Sequence, residues 1–182
     1  IFVCCKSYDL EKMAAAIKPC LKADTIVISL LNGTDGPEKL ETFLPGATIA
    51  PGCVFIYSQR LSPGVIENSG PVETMFFGLK GEANERLRPL ENWLQQSGIK
   101  AVASEQIETL VWEKFIFISP IATATSYYRQ TIGEIRSDPE KWTVLTQLLA
   151  EVVAVDPSEA ICSSRLLPLL PQPGSCPARS TT

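Results

Sequence analysis

Lys114 is the residue whose type and setting most invite chemistry. It lies in the stretch EQIETLVWEKFIFISPIATATS, from Glu105 to Ser126. Ile107, Leu110, Val111, Phe115 and Ile118 recur there at spacings of three and four, which predicts one apolar face of a helix, and Lys114 falls on that face. Ile116 and Phe117 make the other side apolar as well, so a buried helix is expected. The positions three and four residues to either side of Lys114 are Leu110, Val111, Phe117 and Ile118, none a carboxylate, so no salt bridge at that spacing is expected to hold it. Burial disfavours an ammonium and lowers its pKa unless a distant acid or a ligand compensates. A lysine tuned in this way can serve as an acid, a base or a Schiff-base nucleophile. The plainer alternative is a snorkelling side chain that packs its stem and wets its head.

What the chain lacks narrows the chemistry further. It has 182 residues and no histidine, which excludes Ser-His and Cys-His nucleophilic pairs and histidine metal sites within it. Its six cysteines, Cys4, Cys5, Cys20, Cys53, Cys162 and Cys176, form no CxxC and no metal-ligand spacing, so no metal is expected. Without a secretory signal they read as reduced thiols of a cytoplasmic protein. A net charge of -4, with no basic cluster, gives no electrostatic case for nucleic acid. No apolar run reaches membrane-spanning length.

The elements that must position the lysine follow in order. IFVCC, from Ile1 to Cys5, reads as a buried strand ending at Lys6, with Ser7 or Asp9 as the N-cap of the next helix. A strand that begins at the first residue leads us to expect further sequence upstream. Leu10, Met13, Ala14, Ile17 and Leu21 have helical spacing, and TIVISLL, from Thr25 to Leu31, is apolar on both faces, as in a parallel strand covered on both sides. It ends at Asn32-Gly33, completing a strand-helix-strand unit with an expected right-handed crossover. Asp35 and Glu38 suggest a capping box ahead of a short helix. Strands are expected near Cys53 to Tyr57, Gly64 to Asn68, Glu73 to Phe77 and Ile99 to Ala103, and an amphipathic helix from Glu82 to Gln96. This alternation argues for an α/β domain around a mostly parallel sheet over residues 1–104. An all-α part follows over residues 105–155. Pro120 is expected to end or kink the lysine's helix, Gly133 to break the chain, and Lys141 to Val155 to form a last helix. Residues 156–182 read as an irregular Pro-rich tail, whose Pro168-Leu169-Leu170-Pro171 matches a PxxP ligand weakly.

Taken in order, IFVCCKSYDL, TIVISLLNGTDGPEKL and LVWEKFIFISP resemble the ketopantoate reductase (2-dehydropantoate 2-reductase) family, and SPGVIENSG and the later Gly-Glu-Ile at Gly133 to Ile135 fit it too. The resemblance covers about Ile1 to Val155. It implies an incomplete Rossmann-type NADP-binding domain over residues 1–104 and a truncated helical substrate and catalytic domain over residues 105–155. It further implies NADPH-dependent reduction of ketopantoate to pantoate, on the route to pantothenate. Lys114 would be the catalytic acid, and Lys6 with Asn32 and Gly33 would lie near the nicotinamide and substrate. Lys6 and Asn32 also stand where the residues alone would put a ligand, at the carboxyl ends of strands. The alternatives there are a solvated lysine and a simple tight turn.

Three features depart from the family's pattern. No Gly-rich pyrophosphate loop occurs here, so this polypeptide alone is expected to bind NADPH weakly or not at all. Many members carry asparagines four and eight residues after the lysine, where this chain has Ile118 and Ala122. Ser119 and Thr123 could substitute as substrate-binding groups, or could simply cap the helix end. The tail fits the family poorly and looks truncated or frame-shifted. A keto acid is thus the expected small-molecule partner, either ketopantoate or another 2-keto or 3-hydroxy acid. A non-catalytic fragment acting as an interaction module is a further reading. Apolar surface where upstream strands would pack makes a homodimer a possible form.

Overall fold

The computed structural model describes residues 1–70, 73–80 and 84–155. The Pro-rich tail, its PxxP match, Cys162 and Cys176 lie outside the described residues. The chain divides into two compact units, Ile1–Val111 and a second beginning at Trp112.

The first unit is built on β1 (Phe2–Val3), α1 (Leu10–Ile17), β2 (Ile26–Ser29), α2 (Gly36–Phe43) and β3 (Thr48–Phe55). The three strands are parallel, with Val3 opposite Ser29 and Ser29 opposite Pro51. The β-branched run of β2 explains why it lies inside. Val27 packs with Leu10, Ala14, Leu40 and Leu44 from α1 and α2, while the next residue, Ile28, joins Phe77, Leu87 and Leu94 on the other side. Strand alternation sends successive side chains to opposite faces, so a strand covered on both faces must be apolar at every step.

After β3 the chain forms an antiparallel ribbon of β4 (Ser58–Ser62) and β5 (Val65–Asn68), exposed along its whole length. It returns as β6 (Thr74–Phe77), then α3 (Arg88–Gln96) and β7 (Ala101–Ala103). The sheet order is β1-β2-β3-β6-β7. The sheet is therefore mixed: β6 pairs antiparallel with β3, and β7 pairs parallel with β6. The ribbon turns the chain back beside β3 without a crossover helix, which allows only an antiparallel neighbour. On β7, the Ala103 N–H donates to the Glu91 carboxylate at 3.0 Å and the Gln95 amide donates to the Ala101 carbonyl at 2.8 Å, so α3 covers the strand's outer polar groups.

α4 (Ile107–Tyr128) runs across the division between the units. In the first unit, Ile107 and Val111 pack with Cys53, Phe55 and Phe76. In the second, Ile116 and Ala124 pack with residues of α5 (Ile132–Ser137) and α6 (Pro139–Val153), among them Ile135, Leu145 and Leu149. Pro120 does not end α4, which continues to Tyr128. The hydroxyls of Thr123 and Thr125 donate to the carbonyls of Ser119 and Ile121 at 2.9 and 2.7 Å, supplying bonds beside the one proline removes.

Other local expectations are corrected. Asp35 makes no cap. It already has helical dihedrals, and its carboxylate pairs with Lys39 at 2.5 Å. Neither Ser7 nor Asp9 caps with its side chain, because Ser7–Asp9 forms a 3-10 turn that leads directly into α1. Gly133 does not break the chain. It lies inside α5, which Thr131 and Glu134 begin with a reciprocal capping box.

Candidate active site

Parallel β1 and β2 end at the same level, and the residues that follow them leave the sheet side by side. Lys6 follows β1 and is exposed, with the Asp9 N–H donating to its carbonyl at 2.9 Å. Asn32 and Gly33 follow β2. Gly33 has φ +100, a backbone that other residues reach only under strain, although a Cβ there would meet nothing closer than 3.7 Å. Gly36, at the start of α2, is needed for space instead. A Cβ there would lie 2.8 Å from the hydroxyl oxygen of buried Ser29. The Asn-Gly turn is thus held between the end of β2 and a helix packed closely against it. The structure brings Lys6, Asn32 and Gly33 to one end of the sheet, where open parallel sheets bind ligands.

Lys114 lies in the second unit and is half-buried, not fully buried. The expected apolar face is buried only at Ile107 and Val111, and Phe117 is 39% exposed. At about 100° per residue, Ile116, Pro120 and Ala124 lie on the opposite side of the helix from Ile107 and Val111. All five are buried. α4 thus changes its packed side near Lys114, which is why a uniform apolar pattern misjudged the depth. Trp112 and Phe115 make an edge-to-face pair beside it, with centroids 5.7 Å apart. Ser119 is half-buried and Thr123 exposed. The Thr123 hydroxyl proton is committed to the Ser119 carbonyl.

Two supporting residues were not anticipated from the sequence. Gly78, just after β6, has room for no side chain. A Cβ there would lie 2.1 Å from the Ser104 carbonyl oxygen and 2.9 Å from the Ile107 side chain. It fixes how closely β6 approaches the start of α4. Lys80 reaches the carboxylate of Glu108 in the first turn of α4 at 3.1 Å and that of Glu38 at 3.9 Å. The hydrogen bond to Glu108 raises the lysine's pKa above its ordinary value. Glycine at a strand end was the only available signal for the first, and the second left none, since its partners are distant in sequence. Among the described residues there is no group of histidines, cysteines and carboxylates able to hold a metal, and no helix long and apolar enough to cross a membrane.

A family model described as ketopantoate reductase PanE/ApbA matches residues 1–80, and its C-terminal counterpart matches residues 106–162. The chain belongs to the ketopantoate reductase family. Lys6, Asn32 and Gly33 fall within the first matched segment, and Lys114, Ser119 and Thr123 within the second. A solved structure of 2-dehydropantoate 2-reductase from Porphyromonas gingivalis W83 is 32% identical, with a TM-score of 0.81 over 93% of this chain and 61% of that one. An uncharacterized oxidoreductase of Bacillus subtilis (strain 168), YkpB, is 27% identical over 88% of this chain and 54% of its own length. D-mandelate dehydrogenase in complex with NADH shares the fold, with a TM-score of 0.78 at 23% identity over 88% of this chain and 54% of that one. The chain spans about half the length of the curated relatives it matches. The ketopantoate reductase fold, a mixed sheet with helices followed by a helical region, is the one described above.

Proposed function

We propose that this chain forms part of an NADPH-dependent reductase that converts a 2-keto acid to its 2-hydroxy acid, with Lys114 as proton donor. Family membership makes ketopantoate, reduced to pantoate, the first substrate to test. The observation that carries this reading is a half-buried lysine whose helical neighbours at three and four residues, Leu110, Val111, Phe117 and Ile118, are all apolar, within the segment matched by the family's C-terminal model.

The residues at the strand ends suit the nicotinamide half of a dinucleotide, whereas its pyrophosphate finds no Gly-rich loop in this sequence. Lys6 is a cation beyond the carboxyl end of β1, and Asn32-Gly33 offers an amide and an open backbone beyond β2. When bound, the nicotinamide supplies the hydride that reaches the keto carbon. The chain's own residues would do the rest. Lys114, as an ammonium, would polarise the keto C=O, and as the π pair moves onto oxygen its Nζ–H would break to give that oxygen the proton, leaving the hydroxyl product and a neutral amine. It then regains a proton from solvent. A positioned acid of this kind contributes roughly 10²- to 10⁴-fold. Lys6 and Asn32 hold and orient the ligand, and Ser119 and Thr123 are candidate substrate contacts through their oxygens.

A second reading keeps the reaction and changes the keto acid, favoured by Ile118 in the turn after Lys114, where a hydroxylated substrate finds no amide. NADPH oxidation with ketopantoate, measured beside the Lys114→Ala variant, tests the first reading. Turnover that disappears with the lysine supports it, and turnover unchanged by the substitution rejects it.

A further inference from the structure

We propose that Asn32 is a modification site: it deamidates spontaneously through the Gly33 amide, leaving an aspartate or isoaspartate where the strand end carried a neutral amide. The consequence for the cofactor rests on the reading of Asn32 above, whereas the modification itself does not. Asparagine is among the thermolabile residues, and the chain has four, Asn32, Asn68, Asn84 and Asn92. Deamidation requires the backbone nitrogen of the next residue to reach the side-chain Cγ, so structure that holds that N–H protects the asparagine before it. The Ser69 N–H, after Asn68, donates to the Tyr57 carbonyl at 3.0 Å. Asn84 is buried, and its Oδ1 accepts from the Leu79 N–H at 2.9 Å. Asn92 lies in the middle of α3, whose ladder takes the Trp93 N–H. Asn32 is exposed and precedes glycine, and residues 32–35 belong to neither strand nor helix. Gly33 has φ +100 and no Cβ to shield its nitrogen.

The step needs only water. The Gly33 amide gives its proton to hydroxide, and its nitrogen attacks Asn32 Cγ. The N–Cγ bond forms, the bond from Cγ to the side-chain nitrogen breaks, and that nitrogen leaves as ammonia with a proton from water. The product is a five-membered succinimide. Water then opens one of its two carbonyls, giving aspartate or isoaspartate. Asn32 has a partner of its own, but the attack falls on Cγ, and a hydrogen bond to the amide oxygen makes that carbon more electrophilic. Either product puts a carboxylate at the end of β2, at the same end of the sheet as Lys6. Isoaspartate also lengthens the backbone there by one methylene. Both changes oppose an anionic ligand that Lys6 and Asn32 are proposed to hold.

The test ages the full chain in mildly alkaline buffer, native and in guanidinium chloride, and follows each asparagine by peptide mass spectrometry with enzymatic detection of isoaspartate. Asn32 should convert first in both states. Its native rate should lie within about tenfold of the denatured rate, since an exposed turn opens at little cost in free energy. Asn68, Asn84 and Asn92 should be slowed far more by folding, and Asn32→Gln should abolish the early conversion. Native conversion of Asn32 no faster than that of Asn68, or suppressed by folding as strongly as that of Asn92, overturns the proposal. NADPH is then titrated into fresh protein, aged protein and Asn32→Asp, and the last two should bind about tenfold more weakly, as for loss of one hydrogen bond to a charged group. If Asn32→Asp weakens NADPH but Asn32 does not convert, the proposal alone falls. If Asn32 converts and all three proteins bind NADPH alike, the modification stands and the reading of Asn32 as a cofactor group falls.

Discussion

Lys6 and Asn32 stand on backbone that has just left a strand, and both are exposed. Lys114 stands inside a helix of 22 residues whose flanking turns are packed on both sides of it in sequence. The difference suits the roles proposed for them. A group that only attracts a phosphate or an amide can tolerate motion and solvent. A proton donor must meet the carbonyl oxygen in one geometry, and packing on a rigid element supplies that. Damage at the strand ends should therefore weaken binding, whereas damage at α4 should remove turnover.

The largest effect expected from that contrast is at the lysine itself. Lys114→Met keeps the stem and removes the charge, and should lower kcat by roughly 10²- to 10⁴-fold with folding intact by circular dichroism. Gly78→Ala attacks the support of α4 without touching the site. Its new Cβ would meet the Ser104 carbonyl oxygen, so β6 and the start of α4 must move apart. A loss of about 3 kcal/mol of stability is expected in urea unfolding. Lys6→Ala should act at the strand ends alone, weakening NADPH by about tenfold with little change in kcat, as for loss of one charge-assisted hydrogen bond. A fall in kcat larger than the rise in KM would erase the distinction between the two regions.

The smallest effects lie in the caps that begin the helices packed against α4. Thr131→Ala removes the capping box of α5 and should cost about 1 kcal/mol. Acid should act on the same caps. Hydrogen bonds from the Thr131 backbone and side chain hold the Glu134 carboxyl below its ordinary pKa, and those from the Lys141 side chain and backbone do the same for Asp138. Both groups are depressed, so their contribution is complete above the unfolded carboxyl value, about 4. It fades as pH falls through the lower folded value. Melting temperature followed from pH 6 to pH 2 should drop less steeply in Glu134→Gln and Asp138→Asn than in the parent.

The sequence made some of this plain. TIVISLL could only be a strand covered on both faces, and Val27 and Ile28 face different clusters as that requires. Lys114 was visible as a charge where the helix pattern asked for hydrocarbon. Other features depended on distant contacts. Pro51 concealed the first half of β3, because a proline in an apparent strand argues against one until its neighbours are known. Gly133 concealed α5, although Thr131 and Glu134 carried the capping signal three residues apart. The change of packed side along α4 could not be read from a helix apolar all round. It needed the partners of each half, Cys53 and Phe76 for Ile107 and Val111, and Leu149 and Ile135 for Ile116 and Ala124.

Chemical rescue of Lys114→Ala tests the central claim most directly. NADPH oxidation with a 2-keto acid would be followed as methylammonium or ethylammonium is added. Turnover should be lost in the variant and partly restored by the amines. Parent-level turnover in Lys114→Ala without any amine would contradict the assignment of the lysine as proton donor.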